Sequence, residues 1–311
     1  MYWSKMNKPF QTTSEQIAIL NRRGLSTDSK TADILLREGY YCIINGYKDP
    51  FLFPGKQNGE DAFRHGASFN EIYRLFLFDR SLRMLLFKYI AIAEAALKTV
   101  TAYKFSQAHQ TDHHKYLEGG TYRNDGRYPI FAGYLIEDFE TILGMNDKGR
   151  RRRPKPYIKH YLDNHEQVPI WVLMNYLSLG QAVKFFDFQK NEIRRSIAST
   201  FTDLYCHEHT VSRNIKPKDL SRAFDHIKDM RNICAHDERL YCARVSPRSD
   251  TTFADVLDDL SLVLPANKNR DLRAEVATEI INSSSDIRTI TVDYLLKEMG
   301  IRSVDSLIPS A

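Results

Sequence analysis

The chain has 311 residues, 42% of them hydrophobic, and a formal net charge of +5. This bounds it as an ordinary globular protein of one large or two modest domains, whose mild basicity permits an anionic partner without requiring one. No apolar run approaches the ~20 residues of a membrane span, and the stretch from Met1 to Phe10 lacks the apolar core of a signal peptide, so a cytoplasmic protein with no membrane association is expected. Cys42, Cys206, Cys234 and Cys242 are scattered without C-x-x-C spacing, which fits reduced thiols and not a disulfide scaffold.

Residues 10–50 read as two short helices and an aromatic turn. Thr12 and Glu15 have capping-box spacing, Gly24 and Gly39 are stop signals, and Asn45-Gly46 is a turn dipeptide beside Tyr40, Tyr41 and Tyr47. With Arg22, Arg23, Arg37 and Lys48 nearby, this region either binds nucleic acid through cations and tyrosines or is a helical cap whose tyrosines pack on the next helix. Residues 51–67 are a Pro- and Gly-containing loop. Ser68 and Glu71 then cap the longest predicted helix, which meets no Pro or Gly before about His109. Its apolar band includes Leu75, Leu82, Leu86, Tyr89, Ala93 and Leu97, and three charges, Arg80, Arg83 and Glu94, fall within or beside that band. Such buried charges are expected to pair with one another, or else to orient groups on a neighbouring helix.

Residues 110–168 are the loosest part, with one amphipathic helix over about 131–143. Arg150, Arg151, Arg152, Arg153, Lys155 and Lys159 form a basic run suited to phosphates, with a solvated loop as the alternative. Arg153 and His160 also match R-x6-H, but Pro154 and Pro156 argue against a continuous helix there. Pro169 starts a predicted helix running through Phe188, with Trp171, Leu173, Leu177 and Phe185 as core, and a shorter one follows over 191–201. Cys206, His207 and His209 are read as loop residues unrelated to metal, because no second ligand pair accompanies them.

The stretch 217–244 organises the chain. Pro217 and Asp219 suit a helix start. Leu220, Phe224, Ile227 and Cys234 mark a buried face, with Arg231 in line with it. Asp225, Asp229, Asn232 and His236 make a second, polar stripe. After Arg244 come a linker over 246–250 and three short helices, over about 253–264, 271–281 and 291–299. The domain reading is therefore an N-terminal helical cap over 1–67, a helical domain over 68–245 with a basic insertion near 110–165, and a C-terminal helical extension over 246–311.

Arg231-Asn-Ile-Cys-Ala-His236 resembles the R-x4-H signature of HEPN domains, small helical domains found in many prokaryotic ribonucleases. The resemblance extends in order along the chain. Lys8 to Phe10, Arg23 to Leu25, Gly39 to Tyr41, Phe78 to Arg80 with Arg83, Ala93 to Leu97, Pro169 to Val172, Gly180, and Arg239 to Tyr241 all look like blocks of AbiD/AbiF-type abortive-infection proteins. The resemblance implies an all-α, HEPN-like bundle built on the long helix, and a cofactor-free, metal-independent endoribonuclease. It also implies 2′,3′-cyclic phosphate ends, antiphage defence, and restraint by a small structured RNA that the run 150–153 would contact. RNA supplies its own nucleophile, the 2′-hydroxyl. His236 would then act as general base or acid, Arg231 would stabilise the charged phosphorane, and Asn232 would orient one of them. Glu94, Arg80, Arg83, Asp229 and Arg239 are candidate supporting residues.

Residues five apart on a regular helix point ~140° from each other. Arg231 and His236 can therefore meet one phosphate if the helix ends or distorts near His236, or if two copies of the chain pair. HEPN nucleases commonly pair two such motifs across a two-fold axis, so a homodimer with a composite site is expected. The competing readings are a non-catalytic RNA-binding module and a nucleic-acid-binding regulator working through Arg22 and Arg23.

Overall fold

The computed structural model describes residues 9–57, 59–145, 154–246, 251–284 and 286–308. The fold is all-α. Among the described residues there are isolated β-bridges but no strand. No helix among them is long and apolar enough to cross a membrane.

Two compact units share the chain, and both are discontinuous in sequence. The first takes the described residues up to Leu85, Asp237–Ala243, and those from Ala274 on; the second takes Leu86–His236 and Arg244–Arg273.

In the first unit, α1 (Thr13–Arg22) starts on the expected Thr12/Glu15 capping box, and α2 (Thr31–Glu38) ends where Gly39 takes φ 84°. A π-helical turn, Tyr41–Asn45, follows. Helix α3 (Phe69–Ala108) is 40 residues long, ~60 Å at 1.5 Å per residue, and its first half belongs here. Ser68 and Glu71 cap each other at its start. The core is aromatic: Tyr47 meets Phe76 edge-on at 5.5 Å, and Phe69, Tyr73 and Phe76 stack in succession. The unit closes with part of α11 (Ala266–Ser284) and with α12 (Val292–Met299).

Glu71 also fastens the segment before α12. Its carboxylate accepts from the amides of Arg288 (2.7 Å) and Thr289 (2.8 Å) and from the Thr289 hydroxyl (2.9 Å). Burial pushes this carboxyl up, but the bonds from Thr289, Arg288 and Ser68 outweigh it and hold the group below its ordinary value of 4.5. A depressed folded value means the stabilisation is full above the unfolded value and lost as pH falls through the folded one. Glu71→Gln will therefore cost on the order of 1–2 kcal/mol at neutral pH. Urea unfolding will show that difference shrinking towards zero in acid.

The second unit is built from the second half of α3, α4 (Tyr128–Leu143), α5 (Pro156–Asn164), α6 (Ile170–Leu173), α7 (Leu179–Phe188), α8 (Asn191–Glu208), α9 (Pro217–Ala235) and α10 (Phe253–Leu260), with the start of α11. Phe185 is the hub of its core, within 5.2–6.1 Å of the rings of Phe105, Phe139 and Tyr122.

The helix expected from Pro169 to Phe188 is broken. After α6 comes a 3-10 turn, Met174–Tyr176, and Leu177 is extended. Asn175 donates to the carbonyls of Trp171 and Val172, which satisfies the end of α6. Ser178 and Gln181 then form a capping box that opens α7. The S-x-x-Q spacing was available in the sequence, within a largely apolar stretch. Ser178→Ala will lower stability by about 1 kcal/mol, read as a shift of the urea midpoint. Trp171, expected in the core, is 45% exposed, because the break turns α6 so that Ile170, Val172 and Leu173 face inward. Helix α8 runs on to Glu208, so Cys206 and His207 lie in its last turn and not in a loop.

Candidate functional site at the end of helix α9

Helix α9 buries Leu220, Ala223, Phe224, Ile227 and Met230, a 3-4 spacing that packs against α7, α8 and α10. Cys234, expected on the same face, is half-buried. Arg231 follows the last buried residue and sits at the edge of this stripe, also half-buried. Its Nε is buried with no hydrogen-bond partner among the described residues. Its guanidinium lies 5.9 Å from the ring centroid of Phe87 and has a 3.5 Å contact to Asn232 Oδ1. The side chain lines a cavity of about 350 Å³ together with Phe87, Ile90, Glu94, Lys98 and Asn175. An arginine with unused donors at a cavity wall is arranged to receive an anion.

Helix α9 stops one residue before the imidazole. Its last helical residue is Ala235, and His236 is the C-cap, exposed, with its N–H donating to the Asn232 carbonyl at 3.0 Å. Asp237 then adopts φ 57°, the left-handed conformation that commonly terminates a helix and that Asp tolerates better than most residues. The helix therefore ends at His236, but Arg231 to Ala235 are all helical, so the two side chains keep their separate directions within one chain. Asn232 is exposed between them. Asp229 and Asp225 share Lys228, at 3.6 and 2.8 Å.

Glu94 faces the same cavity as Arg231 but is held by Lys98 at 2.6 Å, and Lys98 also donates to the Leu177 carbonyl. Arg80, Arg83 and Glu94 do not pair with one another as expected. Arg83 and Glu94 are eleven residues apart, ~16 Å along a helix axis, so partners one turn away prevail. Within the first unit Arg83, 4% exposed, bonds Asp79 at 2.7 Å, the Tyr47 hydroxyl at 3.1 Å, the Glu238 carbonyl and the Asp237 carboxylate. Arg80 makes a two-pronged bond with Glu38, at 3.0 and 2.6 Å. Arg239 is 3.5 Å from Asp49.

Asp79 is the centre that sequence reasoning missed. Fully buried, it accepts from the Tyr47 hydroxyl (2.7 Å) and from the amides of Leu240 and Tyr241 (3.0 and 2.7 Å) as well as from Arg83. Burial pushes its carboxyl up against the pull of these donors. Its i,i+4 spacing to Arg83 was the available signal. Phe87, Lys98 and Asn175 were also not anticipated; of these, the Glu94–Lys98 spacing was legible in the same way.

Of the expected RNA-contacting residues, Arg22 and Arg23 both reach Glu60, at 3.4 and 3.2 Å, and Lys159 is paired with Asp163. Lys155 is exposed at the start of α5. The run 150–153 lies outside the described residues. Tyr47 is buried on α3, as the cap reading expects, whereas Tyr41 is 77% exposed. His209 stacks on Tyr205 at 3.9 Å. Among the described residues no group of three or more His, Cys, Asp or Glu could hold a metal ion.

The fold and site define an all-α protein with an arginine-lined cavity and an exposed imidazole at one helix end. The profile of the Abi-like protein family matches residues 33–242, about two thirds of the chain. The protein belongs to that family, and membership suggests an abortive-infection function. Comparison with curated proteins and with solved structures returned no match.

Proposed function

We propose that this Abi-like protein is a HEPN-type endoribonuclease of the AbiD/AbiF kind, cleaving target RNA during abortive infection. The observation that carries the reading is Arg231, whose unpartnered donor sits at a cavity wall five residues before an exposed, helix-terminal His236. In the reaction a base takes the proton of the ribose 2′-hydroxyl and the oxygen attacks the adjacent phosphorus. The bond from phosphorus to the 5′-oxygen breaks, and that oxygen leaves as a hydroxyl after taking a proton. The products are a 2′,3′-cyclic phosphate and a 5′-hydroxyl end. His236 moves a proton, and Arg231 donates to the non-bridging oxygens as charge builds on them. Asn232, within reach of the guanidinium, orients it.

Two copies complete the site. Arg231 lies at the edge of the buried stripe and His236 on the polar stripe, so a second α9 brings its own His236 towards this Arg231 across an isologous interface. Exposed Phe87 and Tyr103 on α3 supply apolar surface for that pairing.

Mixing separately inactive Arg231→Ala and His236→Ala proteins tests both parts. Random exchange of subunits in an equal mixture will restore about a quarter of the wild-type rate on labelled RNA, because about half the dimers are mixed and each of those holds one intact Arg/His pair of its two. A mixture as inactive as its components would rule out the composite site.

A further inference from the structure

We propose that a basic cleft at the start of α9 holds the phosphate backbone of an RNA strand, on the same helix face as His236. The cleft, about 580 Å³, is lined by Arg194, Arg195, Ser199, Thr202, Lys216 and Lys218 among others, and neither a carboxylate nor an aromatic ring faces it. It lies within the second unit. Some exposed cations elsewhere on the chain are matched by carboxylates, Arg22 by Glu60, Lys159 by Asp163, Lys115 by Glu118 and Lys268 by Asp271, while others such as Lys184 and Lys190 stand singly and do not converge on a cleft. Arg195 and Lys218 are exposed and form no ion pair among the described residues. Arg194, 13% exposed, is braced from behind by Ser221 at 2.8 Å and Asp187 at 3.4 Å, and its Nε is buried without a partner. Converging cations around a concavity repel one another until an anion arrives.

The ligand's chemistry follows from what the cleft lacks. With no ring on which a base could stack, it contacts phosphate, which positions a strand without reading its sequence. Register along α9 connects the cleft to the candidate centre. Lys218 and His236 are eighteen residues apart, five helical turns, so they share a face about 27 Å apart. The two carboxylates on that line, Asp225 and Asp229, share the single cation Lys228, at 2.8 and 3.6 Å, which offsets one of their two charges. At ~3.4 Å per nucleotide of a stacked strand the interval is about eight phosphates. The proposal rests on the reading of RNA as substrate, and it adds an anchoring site remote from Arg231.

The test is binding of a fluorescent, uncleavable 2′-O-methyl RNA twelve-mer and four-mer, by anisotropy across a salt series. The proteins are wild type, Arg195→Glu/Lys218→Glu, the milder Arg195→Gln/Lys218→Gln, and His236→Ala, each checked for an unchanged thermal midpoint. Both double variants will weaken the twelve-mer, the reversal by about 10-fold or more, and lower the salt slope by about 1.4 for two lost single-strand contacts. The twelve-mer's advantage over the four-mer will shrink, and His236→Ala will bind like wild type. Unchanged affinity and slope in the reversal, or a wild type that does not bind the twelve-mer, would overturn the cleft. Because the probe cannot be cleaved, an inactive wild type that still shows the cleft effect would count against the nuclease reading alone.

Discussion

Asp79→Ala will destabilise the protein by about 3–5 kcal/mol, the largest loss expected from any single substitution outside the helix cores. The change leaves Arg83 buried without its one fully buried counter-charge and strips an acceptor from Tyr47 and from the amides of Leu240 and Tyr241. Removing one partner of a buried pair costs more than removing both, since the survivor has no water to turn to. The double change Asp79→Leu/Arg83→Met will therefore be less damaging than Asp79→Ala alone, and Asp79→Asn, which keeps an oxygen for the amides, will fall between wild type and Asp79→Ala. Urea unfolding of the set gives the order. Equal stability of Asp79→Ala and wild type would mean that the network contributes nothing.

On the ribonuclease reading proposed above, Arg231→Ala will reduce RNA cleavage by about 10²–10³-fold and His236→Ala by about 10²–10⁴-fold, neither through loss of folding. Neither side chain forms an ion pair among the described residues; exposed His236 carries a surface-like cost of about 0.5 kcal/mol, and half-buried Arg231 a larger one from its lost packing on Phe87. Arg231→Lys is the sharper variant. It keeps the charge but loses the planar fork that can grip two phosphate oxygens together. It will recover only a small part of the lost rate. Full activity in Arg231→Lys would reduce the arginine to a point charge, and a parallel loss of folding in Arg231→Ala would make it a packing residue.

Much of the fold was legible because local signals and packing agreed. The Thr12/Glu15 and Ser68/Glu71 boxes, the uninterrupted run from Phe69 to Ala108 and the Leu220, Phe224, Ile227 spacing each produced the element they imply. Sequence failed where a polar cap lay inside an apolar stretch, as at Ser178, and there Trp171 was assigned to a core that it does not enter. The site was legible in part. Arg231 and His236 stand out by residue type and spacing, and Glu94 does share a cavity with Arg231. Their partners were harder to read, because helical charges are met one turn away before they are met three turns away. That rule assigns Asp79 to Arg83 and Lys98 to Glu94. Asn175 could not be foreseen, since it reaches the cavity from a break that the sequence concealed.

The most direct test of the ribonuclease reading is cleavage of end-labelled RNA in EDTA by wild type and His236→Ala protein freed of co-purified RNA, with the product ends identified. The account predicts fragments carrying 2′,3′-cyclic phosphate and 5′-hydroxyl ends with wild type, and intact RNA with His236→Ala. Equal cleavage by both proteins, or 5′-phosphate ends, would contradict it.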